Sequence, residues 1–190
     1  MNKPLCLFVG RSSSGKTTIA NILEKKCGDK QVQSYTTRQP RYEGEVGHIF
    51  VSDAEFDKLG EMVAYTEYNG FRYGTTKEQL DECAIYVVDV PGVETLLERY
   101  TENRPILVFY FDANIRTRID RMKERGDGDA AIVSRIYNDE ASDWSEELSK
   151  LVWHHKNNLE KDIEMYTIDA NKSLECVLAQ VICHTMKGEV

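Results

Sequence analysis

Positive charge is short in this 190-residue chain: 24 lysines and arginines stand against 32 aspartates and glutamates, a formal net charge of −8. A nucleic acid or an anionic membrane surface needs a basic footprint, and this balance argues against both. Long apolar runs are missing too. No segment approaches the roughly 18 apolar residues of a membrane span. The apolar stretch near the start, Leu5 to Val9, is too short for a signal peptide and runs straight into a glycine-containing loop. Paired cysteines are lacking: Cys6, Cys27, Cys83, Cys176 and Cys183 are odd in number and scattered, so they read as small buried hydrophobes in a reducing compartment. His154-His155 has no second ligand pair nearby and reads as a solvated helix end. Repeats and low-complexity tracts are absent. What remains is a cytoplasmic protein, monomer or homodimer, whose 41% hydrophobic content suffices for one well-cored domain.

Against these absences stands one complete motif. Residues 10–17 read Gly-Arg-Ser-Ser-Ser-Gly-Lys-Thr, with an apolar strand pattern before them and a helical pattern after. Gly10 and Gly15 let backbone wrap close to a phosphate, so that amide N–H groups and the helix N-terminus face the anion. Lys16 adds a point charge for the outer phosphates, and the Thr17 hydroxyl is placed to ligate Mg²⁺. Phosphate contacts are therefore expected from Gly10, Ser12, Ser13, Ser14, Gly15, Lys16, Thr17 and Thr18.

Strand-like runs at 5–9, 31–35, 62–68, 85–89, 106–111 and 165–168 alternate with helical patterns at 16–26, 54–59, 76–83, 93–100, 115–125, 130–150 and 174–186. Leu174, Val177, Leu178, Val181 and Ile182 follow the spacing of a core-facing helical stripe, and Ile115, Ile119 and Met122 do the same. Strand-helix alternation predicts a parallel sheet with helices on both faces. Residues 34–80 break the rhythm and read as a small inserted lobe. Gly126-Asp127-Gly128-Asp129 reads as a lid loop between helices. Trp144 and Trp153 read as packing residues.

The strand at 85–89 ends in Asp89, where P-loop proteins hold the acid that organises Mg²⁺. A helix cap is the other reading of the same residue. Asp89-Val90-Pro91-Gly92 also matches the Asp-x-x-Gly switch of GTPases. The late guanine-reading motif of that class is missing, because Asn171-Lys172 is followed by Ser173-Leu174. Further along from the loop, Arg38 and Arg41 lie three apart in a proline-fixed segment, which suits a second phosphate group. Two phosphate sites point to transfer rather than simple hydrolysis.

The ordered set of 10–17, Ser34 to Arg41, Gly44-Glu45-Val46, Asn69-Gly70 through Tyr73-Gly74-Thr75, the strand into Asp89 with Gly92, and Arg121, Arg125-Gly126 and Arg135 resembles the guanylate kinase family. The resemblance implies an α/β P-loop kinase with a parallel five-stranded sheet core flanked by helices, a nucleoside-monophosphate lobe over 34–80 and a lid over 121–140. It implies transfer of the γ-phosphoryl of ATP, with Mg²⁺ at Thr17 and Asp89, to a nucleoside monophosphate. By position, Ser34, Arg38, Arg41, Glu45, His48, Tyr73 and Thr75 would hold that acceptor. Arg121, Arg125 and Arg135 would close on the ATP phosphates, and Lys16, Arg38, Arg125 and Arg135 would carry the catalysis.

The match fails at the base reader. The family reads guanine with two carboxylates and two hydroxyls. Ser34 and Thr75 keep the hydroxyls, but the carboxylate positions hold Ala64 and Val87. Charged hydrogen bonds are worth about 1.5–3 kcal/mol each, so two losses would lower preference for GMP by about 10²–10⁴. Glu67 is the nearest other acid, on the opposite face of its strand from Ala64. A different phosphorylated small molecule, such as another nucleotide or a sugar phosphate, is the alternative acceptor. A non-catalytic binding module of the same fold is the other alternative.

Overall fold

The computed structural model describes residues 3–40 and 43–187. Leu5–Val9 (β1) is buried along its whole length, as expected of a strand between parallel neighbours. It pairs in parallel with Ile85–Val87 (β6) on one side and Ile106–Asp112 (β7) on the other. Ile163–Asp169 (β8) extends the sheet beyond β7, again in parallel. Side-chain alternation then divides the core into two layers. Leu5, Leu7 and Val9 face a cluster with Leu96 and Leu97 of Val90–Arg99 (α4) and Leu148 and Val152 of Trp144–Asn158 (α7). Cys6 and Phe8 face the opposite layer, with Ile19 and Leu23 of Lys16–Cys27 (α1) and Val177 and Val181 of Leu174–Lys187 (α8).

A second sheet stands beside the C-terminal edge of the first. It orders His48–Phe50 (β3), Ser34–Thr36 (β2), Phe71–Thr76 (β5) and Met62–Tyr68 (β4). Asn69-Gly70, with φ of 52° and 76°, turns β4 back into β5; consecutive positive φ values are what a tight two-residue hairpin requires. Asp53–Phe56 (α2) and Lys77–Asp81 (α3) flank this sheet, each started by a capping box. The α4 helix ties the sheets together: Thr95 Oγ1 donates to the Tyr65 carbonyl at 3.2 Å and Arg99 to the Met62 carbonyl at 3.0 Å.

Several sequence expectations are corrected. The parallel sheet has four strands, not five. Among the described residues, the backbone of the segment at 31–35 pairs with it only through a Gln31–Ile85 bridge and the Val32 N–H to Ile85 carbonyl bond. Its remainder, β2, pairs on both edges inside the second sheet, with β3 and β5, so its backbone groups are already matched there. The helix expected over 130–150 is two helices, Asp129–Asp139 (α6) and α7. Asp143 caps the new start by accepting from the Ser145 and Glu146 amides, which competes with a continuous helix. Leu174 is 45% exposed and Trp153 63% exposed, so neither packs in the core, whereas His155 is buried. Cys27, Cys176 and Cys183 are exposed; Cys6 alone is buried, and burial pushes its thiol up to about 12. Among the described residues no helix is long and apolar enough to cross a membrane, and no cluster of three or more His, Cys, Asp or Glu could hold a metal.

Candidate active site

The parallel strands end at one edge, where open α/β sheets collect ligands. The phosphate loop leaves β1 there and ends at Gly15, the N-cap of α1, with φ 98°. Gly10 needs its lack of a side chain: at φ 149° an added Cβ would lie 2.7 Å from the Phe111 carbonyl oxygen. Ser13 sits at φ 59°, left-handed without being glycine. The Lys16 ammonium folds back onto its own loop, donating to the Gly10 and Arg11 carbonyls at 2.5 and 2.9 Å and to Ser14 Oγ at 3.3 Å. Desolvation in this cleft pulls its pKa down from 10.5 to about 8, against the opposing pull of Asp139 and Asp89. The buried Ser13 hydroxyl has no partner among the described residues.

Two cavities meet at this lysine. One, of about 510 Å³, runs along the outer side of the loop past Thr17 and Thr18 to Arg121, Arg125 and Leu174. The exposure of Leu174 thus belongs to a cavity wall. The other, of about 260 Å³, opens toward the second sheet and is lined by Ser34, His48, Tyr73, Tyr86 and Asp89 among others. Lys16 lines both. A third recess of about 320 Å³ brings Ser12, Ser13, Arg38, Tyr73, Arg125 and Arg135 together between them. Residues expected to touch two different phosphorylated ligands therefore share one continuous cleft.

On the second-sheet side, Arg38 is held by Glu45 through two hydrogen bonds of 3.0 and 2.9 Å, and donates to the Gln39 carbonyl at 2.8 Å. Both side chains of that pair are under 10% exposed, at 9% and 6%. Glu45 thus orients Arg38, and the Arg38 Nε–H is buried with no hydrogen-bond partner among the described residues. Ser34 Oγ and His48 Nδ1 lie 2.9 Å apart, and the His48 ring meets Tyr73 edge-on. Arg41 lies outside the described residues.

The lid arginines converge. Arg125 and Arg135 both donate to Asp127, at 2.5 and 2.7 Å. Arg121 reaches the Ser13 and Ala170 carbonyls at 3.3 and 2.8 Å, linking the loop to the end of β8. Asp89 caps α4, accepting from the Gly92 amide at 2.9 Å, while its carboxyl lines the second cavity. Burial raises its pKa, opposed by hydrogen bonds from Gly92 and Thr66 and by Lys16.

At the deep end, the absence of carboxylates has a structural counterpart. Ala64 is fully buried and pairs with Thr75 across β4 and β5. The Thr75 hydroxyl donates to the Tyr86 hydroxyl at 2.9 Å. The Tyr86 phenol is thus bonded to the cross-strand partner of Ala64, in the same buried cluster. Glu67 is turned outward and accepts from Tyr65. Thr66 and Tyr68, on the same strand face as Ala64, line the cavity instead. Sequence reasoning missed Tyr86, Thr66 and, next to the loop, Arg118 and Asp139. Arg118 carried a signal: with Ile115, Ile119 and Met122 it completes an i, i+3, i+4, i+7 stripe.

No family model matches the chain. Individual relatives do. A guanylate kinase from Geobacter metallireducens is 31% identical over 144 residues, covering 69% of this chain and 70% of that protein. One from Helicobacter pylori is 30% identical over 148 residues, covering 70% of each. The crystal structure of guanylate kinase from Anaplasma phagocytophilum superposes with a TM-score of 0.54 over 98% of this chain and 85% of that one, at 18% identity, which speaks to the fold alone. With that fold, and with relatives at about 30% identity over most of their length, this chain belongs to the guanylate kinase family as a divergent member.

Proposed function

We propose that this protein is an ATP-dependent phosphotransferase that moves the γ-phosphoryl group of ATP to a nucleoside monophosphate. The observation that carries this reading is the shared cleft: Lys16 lines both cavities, and Arg38, Arg125 and Arg135 line the recess between them. The residues fit the ligands. Among the described residues, Ser13 Oγ and Arg38 Nε are buried polar atoms without hydrogen-bond partners, one in the loop at 10–17 and one just after β2. ATP would lie against the loop from Ser12 to Thr18 with Arg121 beside it. Thr17 and Asp89 would hold Mg²⁺, which neutralises phosphate charge when bound.

Catalysis then rests on positioning and charge. Lys16 exchanges its loop carbonyls for phosphate oxygens. Arg38, oriented by Glu45, holds the acceptor phosphate together with Tyr73 and Arg41. That phosphate is already anionic and needs no general base. Arg125 and Arg135 leave Asp127 for the phosphates and exclude water, which suppresses hydrolysis.

A second reading of the acceptor is favoured by one observation. The carboxylates lining the acceptor cavity are Asp89 and Asp139, and both already accept hydrogen bonds from the protein. Among the described residues, guanine's N1–H and 2-amino donors meet no carboxylate there that is not already hydrogen-bonded by the protein, so we infer an acceptor whose base is not selected through those donors. ADP release with Mg-ATP across GMP, dGMP, AMP, CMP, UMP, dTMP and ribose phosphates tests both readings. Turnover with GMP poor supports the second. Strong GMP turnover keeps the kinase and removes the altered specificity. Failure with every acceptor removes the kinase and leaves a binding module.

A further inference from the structure

Next to the phosphate loop lies a charged pair that the proposed reaction does not use. Arg118 of Ile115–Glu124 (α5) is fully buried, and its guanidinium meets Asp139, 3% exposed, at 2.6 Å. Both members hold the same residue of the loop, one at its N–H and the other at its carbonyl. The Ser12 N–H donates to Asp139 Oδ2 at 2.8 Å, and the Ser12 hydroxyl donates to Oδ1 at 3.2 Å. The Ser12 carbonyl accepts from Arg118 Nε at 3.0 Å. Arg118 also donates to Glu140 at 2.7 Å, and Arg11 of the loop bonds the Ser142 carbonyl at 3.1 Å. The turn between α6 and α7 is therefore fastened to the loop on both sides of one residue.

A buried ion pair is a poor source of stability compared with well-packed apolar side chains. What an apolar pair could not provide is an acceptor for the N–H and a donor for the carbonyl of one residue. That residue, Ser12, immediately precedes Ser13, whose left-handed φ of 59° persists only if its surroundings enforce it. Asp139 also lies four residues after Arg135, on the same face of α6. Arg135 and Ser12 line the same recess.

We propose that the Arg118–Asp139 pair is a positioning latch for phosphoryl transfer: it fixes the end of α6 to Ser12 and so sets both the shape of the phosphate loop and the place of Arg135 over it. Asp139 lines the acceptor cavity, but its carboxylate is spent on Ser12 and Arg118, so the latch acts through the loop and not through substrate contact. The latch rests on the phosphotransferase reading for its effect on rate, but not for its effect on the loop.

The test compares the full chain with Arg118→Met/Asp139→Leu, which replaces the pair by apolar residues, and with the near-isosteric Asp139→Asn. Thermal melting establishes folding at the assay temperature. The latch predicts kcat at least tenfold lower in the folded double variant, with acceptor KM within about twofold of wild type. It also predicts amide exchange at Ser13, Ser14 and Gly15 at least tenfold faster, with β7 unchanged, and Asp139→Asn shifted in the same directions. Wild-type kcat in either folded variant, or unchanged exchange at Ser13 to Gly15, overturns it. A purely structural pair would lower the melting temperature without splitting kcat from KM. If the wild-type protein phosphorylates no acceptor, the functional reading fails separately, and exchange at Ser13 to Gly15 still decides the latch.

Discussion

Replacing Arg38 exposes the difference between a residue that binds substrate and one that holds the fold. Its guanidinium is locked to Glu45 by two hydrogen bonds, with both side chains under 10% exposed. Arg38→Ala would therefore take two charge-assisted hydrogen bonds from a buried carboxylate. Breaking a buried pair in this way costs about 3–5 kcal/mol of stability. For a domain of this size that is a fall of roughly 6–20 °C in Tm. A loss of activity in the single variant would thus be ambiguous. Arg38→Met/Glu45→Gln removes both charges, and its stability should return to within about 2 kcal/mol of wild type. What it cannot restore is the Nε–H that the proposed function gives to the acceptor phosphate. One charge-assisted contact of about 1.5–3 kcal/mol predicts a rise of roughly 10- to 150-fold in acceptor KM. The KM for ATP should move less than about threefold. Melting curves and ADP-release kinetics with each substrate varied in turn give these quantities. An acceptor KM within twofold of wild type in the folded double variant would refute the assignment of Arg38 to the acceptor phosphate.

Other consequences follow from the same cleft. Lys16 titrates near 8 in the free protein, below its ordinary 10.5, and bound phosphate would hold it charged. ATP affinity should therefore be flat from pH 6.5 to 7.5 and weaken by up to tenfold per unit above about pH 8, measured by equilibrium binding; a flat profile to pH 9.5 would contradict this. The same depressed pKa means that the charged lysine is disfavoured in the folded state, and stability from this group grows only as pH rises through 8 toward 10.5. Lys16→Ala should accordingly abolish turnover without lowering Tm at pH 7. Asp89→Asn keeps a side-chain oxygen for the Gly92 amide and should hold Tm, whereas Asp89→Ala should lose about 1 kcal/mol of cap stability. Both should lower kcat by at least tenfold; equal Tm in the two variants would show that the cap is negligible. Gly10→Ala places a methyl 2.7 Å from the Phe111 carbonyl, and should impair folding or ATP binding; wild-type behaviour in both would show that the loop can shift.

The phosphate loop was legible in the sequence because its residues are contiguous and each has a local reason. Gly10 must admit a backbone approach, Gly15 must start a helix, and Lys16 follows at fixed spacing. Residues 34–80 stood out in the sequence as broken rhythm, but the second sheet and its turn at Asn69-Gly70 were not read from it. The segment at 31–35 misled because its pattern suits a strand in either sheet; only the pairing of Ser34–Thr36 with β3 and β5 assigns it. The break between α6 and α7 depends on Asp143 capping, which competes with helix-forming neighbours on both sides. Arg118 stood on an apolar stripe, but its partner lies 21 residues later, so local periodicity could flag the charge without explaining it. Glu45, Asp127 and Asp139 are alike in this respect. Each carboxylate orients an arginine, Glu45 holding Arg38, Asp127 holding Arg125 and Arg135, and Asp139 holding Arg118, and such partnerships exist only once the chain is folded.

The most direct test follows the phosphoryl group itself. The protein is incubated with Mg²⁺, ATP labelled in its γ-phosphoryl group and a mixture of nucleoside monophosphates, and the labelled products are separated. Label recovered in a nucleoside diphosphate, with little in inorganic phosphate, is the predicted result. Label recovered only in inorganic phosphate, or retained in ATP, would contradict a two-site phosphotransferase.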